Sequence, residues 1–235
     1  MRRELTQKDL AYDQIARDWR SFIDDYDTAR RGDVLIGDFL AGRIEGRRVL
    51  DAGCGLGEFS RRIAALRPAR HVAIDIAPQL VENLKSVVPG VDARVGDLLD
   101  LQASLGDEVF DVVFCSEVIE HTPDPLLAIR NLAARVAPGG SLALSCPNAA
   151  WKWSLWIAQT LKIRKKYLGY ENWLWSGRLR AELDRAGLRL ERAEGVHLVP
   201  WQVIPKAALT RLDTALRRHS FGWSVNHAVL AVRPA

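Results

Sequence analysis

The chain of 235 residues has only three cysteines, Cys54, Cys115 and Cys146. They form no C-x-x-C pair and match no metal-ligand spacing, so a disulfide framework and a zinc knuckle are both unsupported, and a reducing cytoplasm is the expected compartment. No run of about 18 apolar residues occurs, which leaves no candidate membrane-spanning helix. The opening MRRELTQKDL lacks the apolar centre of a signal peptide. Internal repeats and low-complexity tracts are missing too. Charge is nearly balanced, 33 Lys plus Arg against 29 Asp plus Glu. That basic excess is too small and too scattered to imply a nucleic-acid partner. Apolar residues, in contrast, make up 48% of the chain, enough for the core of one α/β domain.

Apolar runs of strand length alternate with helical patterns from residue 47 onward. Strands are expected at Arg47 to Ala52, His71 to Ile76, Val91 to Val95, Phe110 to Cys115 and Ser141 to Cys146. Helices are expected at Val34 to Ile44 (stopped by Gly46), Phe59 to Leu66, Pro78 to Val87 and Pro125 to Val136. The last of these takes Asp124 or Thr122 as its cap and Pro138-Gly139-Gly140 as its stop. Ahead of them, Glu4 to Arg31 carries Leu10, Ile15, Trp19, Phe22, Ile23 and Tyr26 at amphipathic spacing. Later come a helix at Ser176 to Ala186, strands at Leu188 to Leu198 and His227 to Val232, and a helix near Val203 to Arg218. Near-continuously apolar strands alternating with helices argue for a parallel sheet covered on both faces. The expected layout is one domain: an N-terminal helical flap (1–45), a core (46–148), an inserted cap (149–175) and a C-terminal part of the sheet (176–235).

In such sheets ligands sit beyond the C-terminal strand ends. The chemistry-bearing residues fall there. In VLDAGCGLGEFS, Asp51 is followed by Gly53, Cys54, Gly55 and Gly57, then by Glu58 opening a helix. Glycines permit a tight turn and close approach of backbone N–H groups to a ligand. The dinucleotide fingerprint G-x-G-x-x-G is the nearest competitor, but Glu58 stands where its third glycine belongs. An anion there would repel a pyrophosphate, so the loop suits a cofactor without phosphates. Asp75, 18 residues past Gly57 and followed by Ile76, is placed to accept two ribose hydroxyls; a polar strand terminus is the bland alternative. Asp97, between Gly96 and Leu98, is either a ligand contact or a helix cap.

D-x-G-x-G-x-G after a strand resembles motif I of the class I S-adenosylmethionine-dependent methyltransferases. FDVVFCSEVIEHTPDP (110–125) resembles a later motif of their small-molecule branch, and NLAARVAPGG (131–140) resembles its R-x-L-K-P-G-G signature, with Val136-Ala137 replacing the usual Leu-Lys. The likeness is nearest to the branch containing the ubiquinone-biosynthesis O-methyltransferases. It implies an α/β, Rossmann-like, doubly wound and mostly parallel seven-stranded sheet closed by an antiparallel last strand. S-adenosylmethionine would be the cofactor, leaving S-adenosylhomocysteine. Asp97 and Leu98 would meet the adenine, and Ser116 and Glu117 the methionine part. The methionine carboxylate needs a basic or polar partner, for which Arg30 and Arg31 are candidates.

Methyl transfer from a sulfonium is an in-line displacement in which positioning supplies much of the rate. An oxygen acceptor must also lose a proton. Glu117, Glu120 and His121 stand at i, i+3 and i+4, one face if the turn is helical. His121 suits a general base, with Glu120 beside it. In the resembled O-methyltransferases the matching residues are associated with a divalent cation. Magnesium is thus a secondary expectation; the preferred one is that this group orders the loop without metal.

Residues 149–175 break the rhythm and hold five of the eight tryptophans. Trp153, Trp156, Ile157, Thr160 and Leu161 follow a helical stripe, and Lys162, Arg164, Lys165 and Lys166 come next. Three readings stand: a helix packed on the domain, a lid over a hydrophobic or aromatic acceptor, or a peripheral membrane contact with tryptophans at the interface and lysines on anionic lipid. The lid is preferred. Asn148, Tyr167, Tyr170, Trp173 and His197 are candidate substrate-pocket residues. The expected activity is methyl transfer to a small molecule at oxygen, with nitrogen or carbon as alternatives. A non-catalytic cofactor-binding or membrane-surface module is the alternative of another class, and a nucleotide-linked oxidoreductase a further one. Nothing in the sequence names the acceptor or the oligomeric state.

Overall fold

The computed structural model describes residues 24–160 and 169–235. The expected helix from Glu4, the basic cluster at 162–166 and Tyr167 therefore lie outside the described residues, apart from the last turns of the N-terminal segment.

Seven strands form one sheet in the order β3-β2-β1-β4-β5-β7-β6. They are β1 (Arg48–Ala52), β2 (Arg70–Asp75), β3 (Asp92–Val95), β4 (Phe110–Ser116), β5 (Val136–Pro147), β6 (Arg189–Val196) and β7 (Asn226–Val232). The β3-to-β5 part is parallel throughout, and β7 runs antiparallel between β5 and β6. The doubly wound sheet and the antiparallel HAVLAVRP strand agree with the sequence reading. Period-two alternation splits the strand residues between two cores. Val49, Val112, Ala143 and Leu230 face residues 34–44 and Ile63. Leu50, Val113, Leu144 and Val229 face the other side, under Ile129, Leu132, Leu179 and Leu183.

Helix α1 (Asp25–Gly32) starts at Asp24, whose carboxylate accepts the N–H groups of Tyr26 and Asp27. It continues directly into a π-helical stretch, Asp33–Phe39. The separate helix expected to reach Ile44 is thus fused to its predecessor and ends early. The wider π turn lets consecutive Val34, Leu35 and Ile36 all be buried, which an ideal 3.6-residue stripe does not. Next come α2 (Glu58–Ala65), α3 (Pro78–Val87) and a short α4 (Leu101–Leu105) that the sequence reading missed; its only sequence signal is the capping Asp100.

Helix α5 (Pro125–Ala134) is capped by Asp124 and not by Thr122. It stops before Pro138-Gly139-Gly140, which lies inside β5. Val136 pairs with Phe110 and Ser141 with Val112, so the four intervening residues, Ala137 to Gly140, bulge out of the ladder against Asp111 alone. A Cβ on Gly140 would sit 2.9 Å from the carbonyl oxygens of Ala137 and Asp111. The remaining helices are α6 (Lys152–Thr160), α7 (Ser176–Arg185) and α8 (Lys206–Leu216). The start of α8 is delayed from Val203 because Pro205 is its cap residue. The α6 stripe does not pack on the domain: Trp153 and Trp156 are 57% and 70% exposed.

His71 on β2 is buried, and neither ring nitrogen meets a partner among the described residues. Burial pulls its pKa from 6.5 down to about 4. As pH falls through this window the unfolded chain takes the proton first, so stability is full above pH ~6.5 and drains toward pH ~4. His71→Val is expected to remove a loss on the order of 1–2 kcal/mol between pH 7.5 and pH 5, read as a larger gain in melting temperature at pH 5 than at pH 7.5.

Candidate functional site

A cleft opens beyond the C-terminal ends of β1, β2 and β4, with α1 as one wall. Its empty volume is about 1070 Å³, open mouth included. At its base the loop after β1 is stitched to the end of β2 by three successive amides. Gly53 and Cys54 donate N–H bonds of 2.8 and 2.9 Å to the Ile74 carbonyl, and Gly55 donates at 2.9 Å to Asp75 Oδ2. The other oxygen, Asp75 Oδ1, accepts from Ala77 N–H at 3.0 Å. Gly53 has φ +84°, and a Cβ there would lie 2.3 Å from Val118 Cγ2. Only glycine fits that turn. Gly53, Cys54, Gly55, Asp75 and Ile76 all line the cleft, as do Asp97 and Leu98 farther along. Asp97 also accepts from Leu99 N–H at 2.9 Å in a local turn; the helix cap is Asp100, so the cleft-lining reading holds and the capping one does not.

Two residues of the motif stand behind the loop instead of in the cleft. Asp51 is 1% exposed and accepts from the Ser60 hydroxyl. Burial pushes its carboxyl up to about 7; Ser60 offsets this and the charge of Asp75 adds to it. Gly57, at φ +81°, closes the turn into α2, where Leu84 leaves no room for a Cβ. Burial likewise holds the Cys54 thiol well above its ordinary range, helped by Asp75 and Asp51, so it stays neutral. Cys115 and Cys146 are buried and free.

Arg31, not Arg30, enters the cleft. Its Nε and Nη2 donate to Asp27 Oδ2 at 3.1 and 2.8 Å, and Nη1 donates to Ser116 Oγ at 2.7 Å. Beyond it, Glu117 lines the cleft with its backbone left-handed, φ +55°. Ser145 Oγ and Asn226 Nδ2 hold its carboxylate at 2.9 and 2.7 Å. Burial raises Glu117, against the pull of Arg31. A non-glycine residue at positive φ beside a cleft is strain retained by its surroundings. Ser145 and Asn226 escaped the sequence reading because each lies on a strand with no motif of its own.

The expectation that Glu117, Glu120 and His121 share a helical face is corrected. The left-handed turn at Glu117 breaks the register, and only Ile119–His121 is helical, of the 3₁₀ kind. His121 lines the cleft, whereas Glu120 is 2% exposed behind it, with its Oε1 3.7 Å from His121 Nε2. Among the described residues no group of three His, Cys, Asp or Glu side chains is arranged to hold a metal ion. The secondary magnesium set therefore does not converge.

The substrate candidates fare worse. Asn148 is fully buried; it accepts from Ala150 N–H and donates to the Gly222 and Ser224 carbonyls, which makes it a strut. His197 is also fully buried, between Asp27 and Asp213. Tyr170 and Trp173 are half-buried and do not line the cleft, but their segment docks on its rim. Asn172 N–H bonds the Glu120 carbonyl, and the Tyr170 carbonyl meets His121 Nδ1 at 3.0 Å. Lining residues the sequence reading missed include Thr28, Phe59 and Leu80, which reach the cleft from α1, α2 and α3.

A family model described as a methyltransferase domain matches residues 27–193. The ubiquinone biosynthesis O-methyltransferase of Xanthomonas axonopodis pv. citri (strain 306) is 39% identical over 178 residues, covering 70% of this chain and 73% of that one. The chain belongs to the class I S-adenosylmethionine-dependent methyltransferases. Among solved structures, an S-adenosylmethionine-dependent methyltransferase from Mesorhizobium loti superposes with TM-score 0.60 at 18% identity, covering 81% of this chain and 93% of that one. The N-methyltransferase NodS from Bradyrhizobium japonicum WM9, in complex with S-adenosylhomocysteine, does so with TM-score 0.60 at 18% identity over 92% of each. The family removes the oxidoreductase and non-catalytic alternatives: this is an enzyme that methylates small molecules from S-adenosylmethionine. The residues present fit that cofactor. A phosphate-free donor suits a helix that opens on Glu58, and the carboxylate of Asp75 stands at the strand end where a ribose would lie.

Asp75→Asn should weaken S-adenosylhomocysteine binding by roughly 10- to 100-fold, because a charge-assisted acceptor of both loop and sugar donors is lost. Titration calorimetry on the purified methyltransferase checks this.

Proposed function

We propose that the enzyme methylates an oxygen of a small aromatic or hydrophobic acceptor, with His121 as the general base. The observation that carries this reading is the anchoring of His121. Its Nδ1 lies 3.0 Å from the Tyr170 carbonyl. The N–H therefore belongs on Nδ1, and the neutral ring keeps its lone pair on Nε2, 3.7 Å from Glu120 Oε1, on a residue that lines the cleft. A hydroxyl proton can pass there as the acceptor oxygen attacks. The name of the 39%-identical relative supports oxygen as the acceptor atom.

S-adenosylmethionine, when bound, supplies a methyl group already activated on a sulfonium. The chain's own residues align and enclose. Asp75 takes the ribose hydroxyls, Asp97 and Leu98 face the adenine, and the apolar wall of Leu80 excludes water from it, while Phe59 lies against Arg31 at the methionine end. Arg31 holds the methionine carboxylate through the two N–H donors that Asp27 and Ser116 leave over. Ser116 and Glu117 line the rest of the methionine part. Glu120 positions His121 from behind. The segment 149–175 acts as the cap over the acceptor, through its contacts with the rim at 120–122.

A specific observation favours a second role for that cap, contact with a membrane surface. Trp153, Trp156, Trp175 and Trp223 are 57%, 70%, 61% and 65% exposed. Trp151 links part of this surface, stacking on Trp153 and donating its indole N–H to the Trp223 carbonyl. Exposed indoles followed in sequence by Lys162, Arg164, Lys165 and Lys166 match an anionic lipid interface.

His121→Ala should lower kcat on an oxygen acceptor by about 100-fold or more while changing S-adenosylhomocysteine affinity less than about twofold. A panel of phenols, catechols, amines and carbon acids assayed with S-adenosylmethionine tests the acceptor class; turnover on amines alone would reject oxygen. For the second role, the protein should co-sediment with phosphatidylglycerol vesicles at low salt. A Trp153→Ser/Trp156→Ser variant should bind about tenfold more weakly, and equal binding by both proteins would refute the contact.

A further inference from the structure

We propose that His197 is a positioning residue for the cofactor's carboxylate, acting through Asp27 on Arg31. The inference rests on the reading of Arg31 given above.

A buried line of side chains runs from the cleft into the domain. Arg31 spends two of its donors on one oxygen of Asp27, Oδ2. The other oxygen, Oδ1, lies 3.0 Å from His197 Nε2. His197 Nδ1 lies 3.4 Å from Asp213 Oδ2, and Asp213 Oδ1 accepts from Leu198 N–H at 2.8 Å. His197 and Asp213 are 0% and 2% exposed. A carboxylate faces each ring nitrogen, hydrogen-bonded at Nε2 and 3.4 Å away as an ion pair at Nδ1, which favours the cationic ring. Burial alone would lower its pKa, but Asp213 and Asp27 outweigh that and raise it. The rings of Tyr26 and Trp201 flank it, centroids 5.4 and 4.8 Å away, an arrangement that favours a cation.

This arrangement changes what Arg31 offers a ligand. A carboxylate shared with a second cation neutralises the guanidinium less than one devoted to it alone. Glu117 and Glu120 also act on Arg31, with burial pushing both toward their neutral forms. Without His197, Arg31 would be over-compensated where it must attract an anion. With it, Asp27 is divided between two cations, and its orientation is fixed so that the guanidinium plane keeps its remaining donors toward the cleft. His197 lies too deep to touch the ligand, so its effect has to be confined to the part of the cofactor that Arg31 meets.

That confinement sets the test. Titration calorimetry on the full chain compares S-adenosylhomocysteine with 5′-methylthioadenosine, which keeps the adenosine and sulfur but lacks the amino-acid part. His197→Gln should weaken S-adenosylhomocysteine by about tenfold and leave 5′-methylthioadenosine within about twofold. Asp213→Asn, which keeps an acceptor for Leu198 N–H, should act in the same direction and serves alone should His197→Gln fail to fold. Parallel losses for both ligands, or no loss for either, would overturn the inference. Arg31→Met is the reference: if it leaves S-adenosylhomocysteine binding intact, the reading of Arg31 itself falls. A wild-type protein that binds neither ligand refutes the cofactor cleft as a whole.

Discussion

The cleft depends on one carboxylate. Asp75 ends β2 and takes an amide from each side, Gly55 from the glycine loop and Ala77 from the start of the next connection. Charge-assisted bonds of this kind are among the stronger ones available to a folded chain. Together with the two amides that share the Ile74 carbonyl, it holds a turn left-handed at Gly53, Gly55 and Gly57 in a single shape. Both strands arrive there from the middle of a parallel sheet whose residues are almost wholly buried, so the anchor itself cannot drift. A flexible glycine-rich loop thereby becomes a rigid rim, its amides tied down to the end of β2.

A second constraint is electrostatic. Asp27, Glu117 and Glu120 all act on the buried Arg31. Burial pushes both glutamates upward, and Glu120 most of all lacks compensation, since its Oε2 has no hydrogen-bond partner among the described residues. Buried carboxylates without full pairing cost stability. A wall built this way gives up folding energy to keep a strongly polar interior facing one end of the cleft, where Arg31 lies over the Phe59 ring, while Leu80 lines the other end.

The parts of this arrangement legible in the sequence are those that repeat with a short period or sit inside one motif. The alternation of strands and helices gave the parallel core. The spacing of Gly53, Gly55 and Gly57 marked the turn, and Asp75 and Asp97 followed from their places at strand ends. Arg31 was readable only as one of two neighbours, because helical phase near a π stretch cannot be judged from a 3.6-residue template. Glu117 was misjudged in geometry: its left-handed backbone is imposed by Ser145 and Asn226, 28 and 109 residues away. Asn148 and His197 looked like pocket residues because polar groups after strands often are. Their burial is decided by partners from α1, α8 and the 222–224 turn, which no local pattern announces.

The placement of β7 has a consequence for how the enzyme comes into being. β7 enters between β5 and β6, and its first residue, Asn226, grips Glu117 at the cleft. The glycine loop and Asp75 are translated far earlier, so a nascent chain can shape that end of its cleft while the opposite end lacks its clamp. Competence is therefore withheld until the ribosome has passed β7. A chain released short of that strand would carry a recognisable motif and an unfinished enzyme.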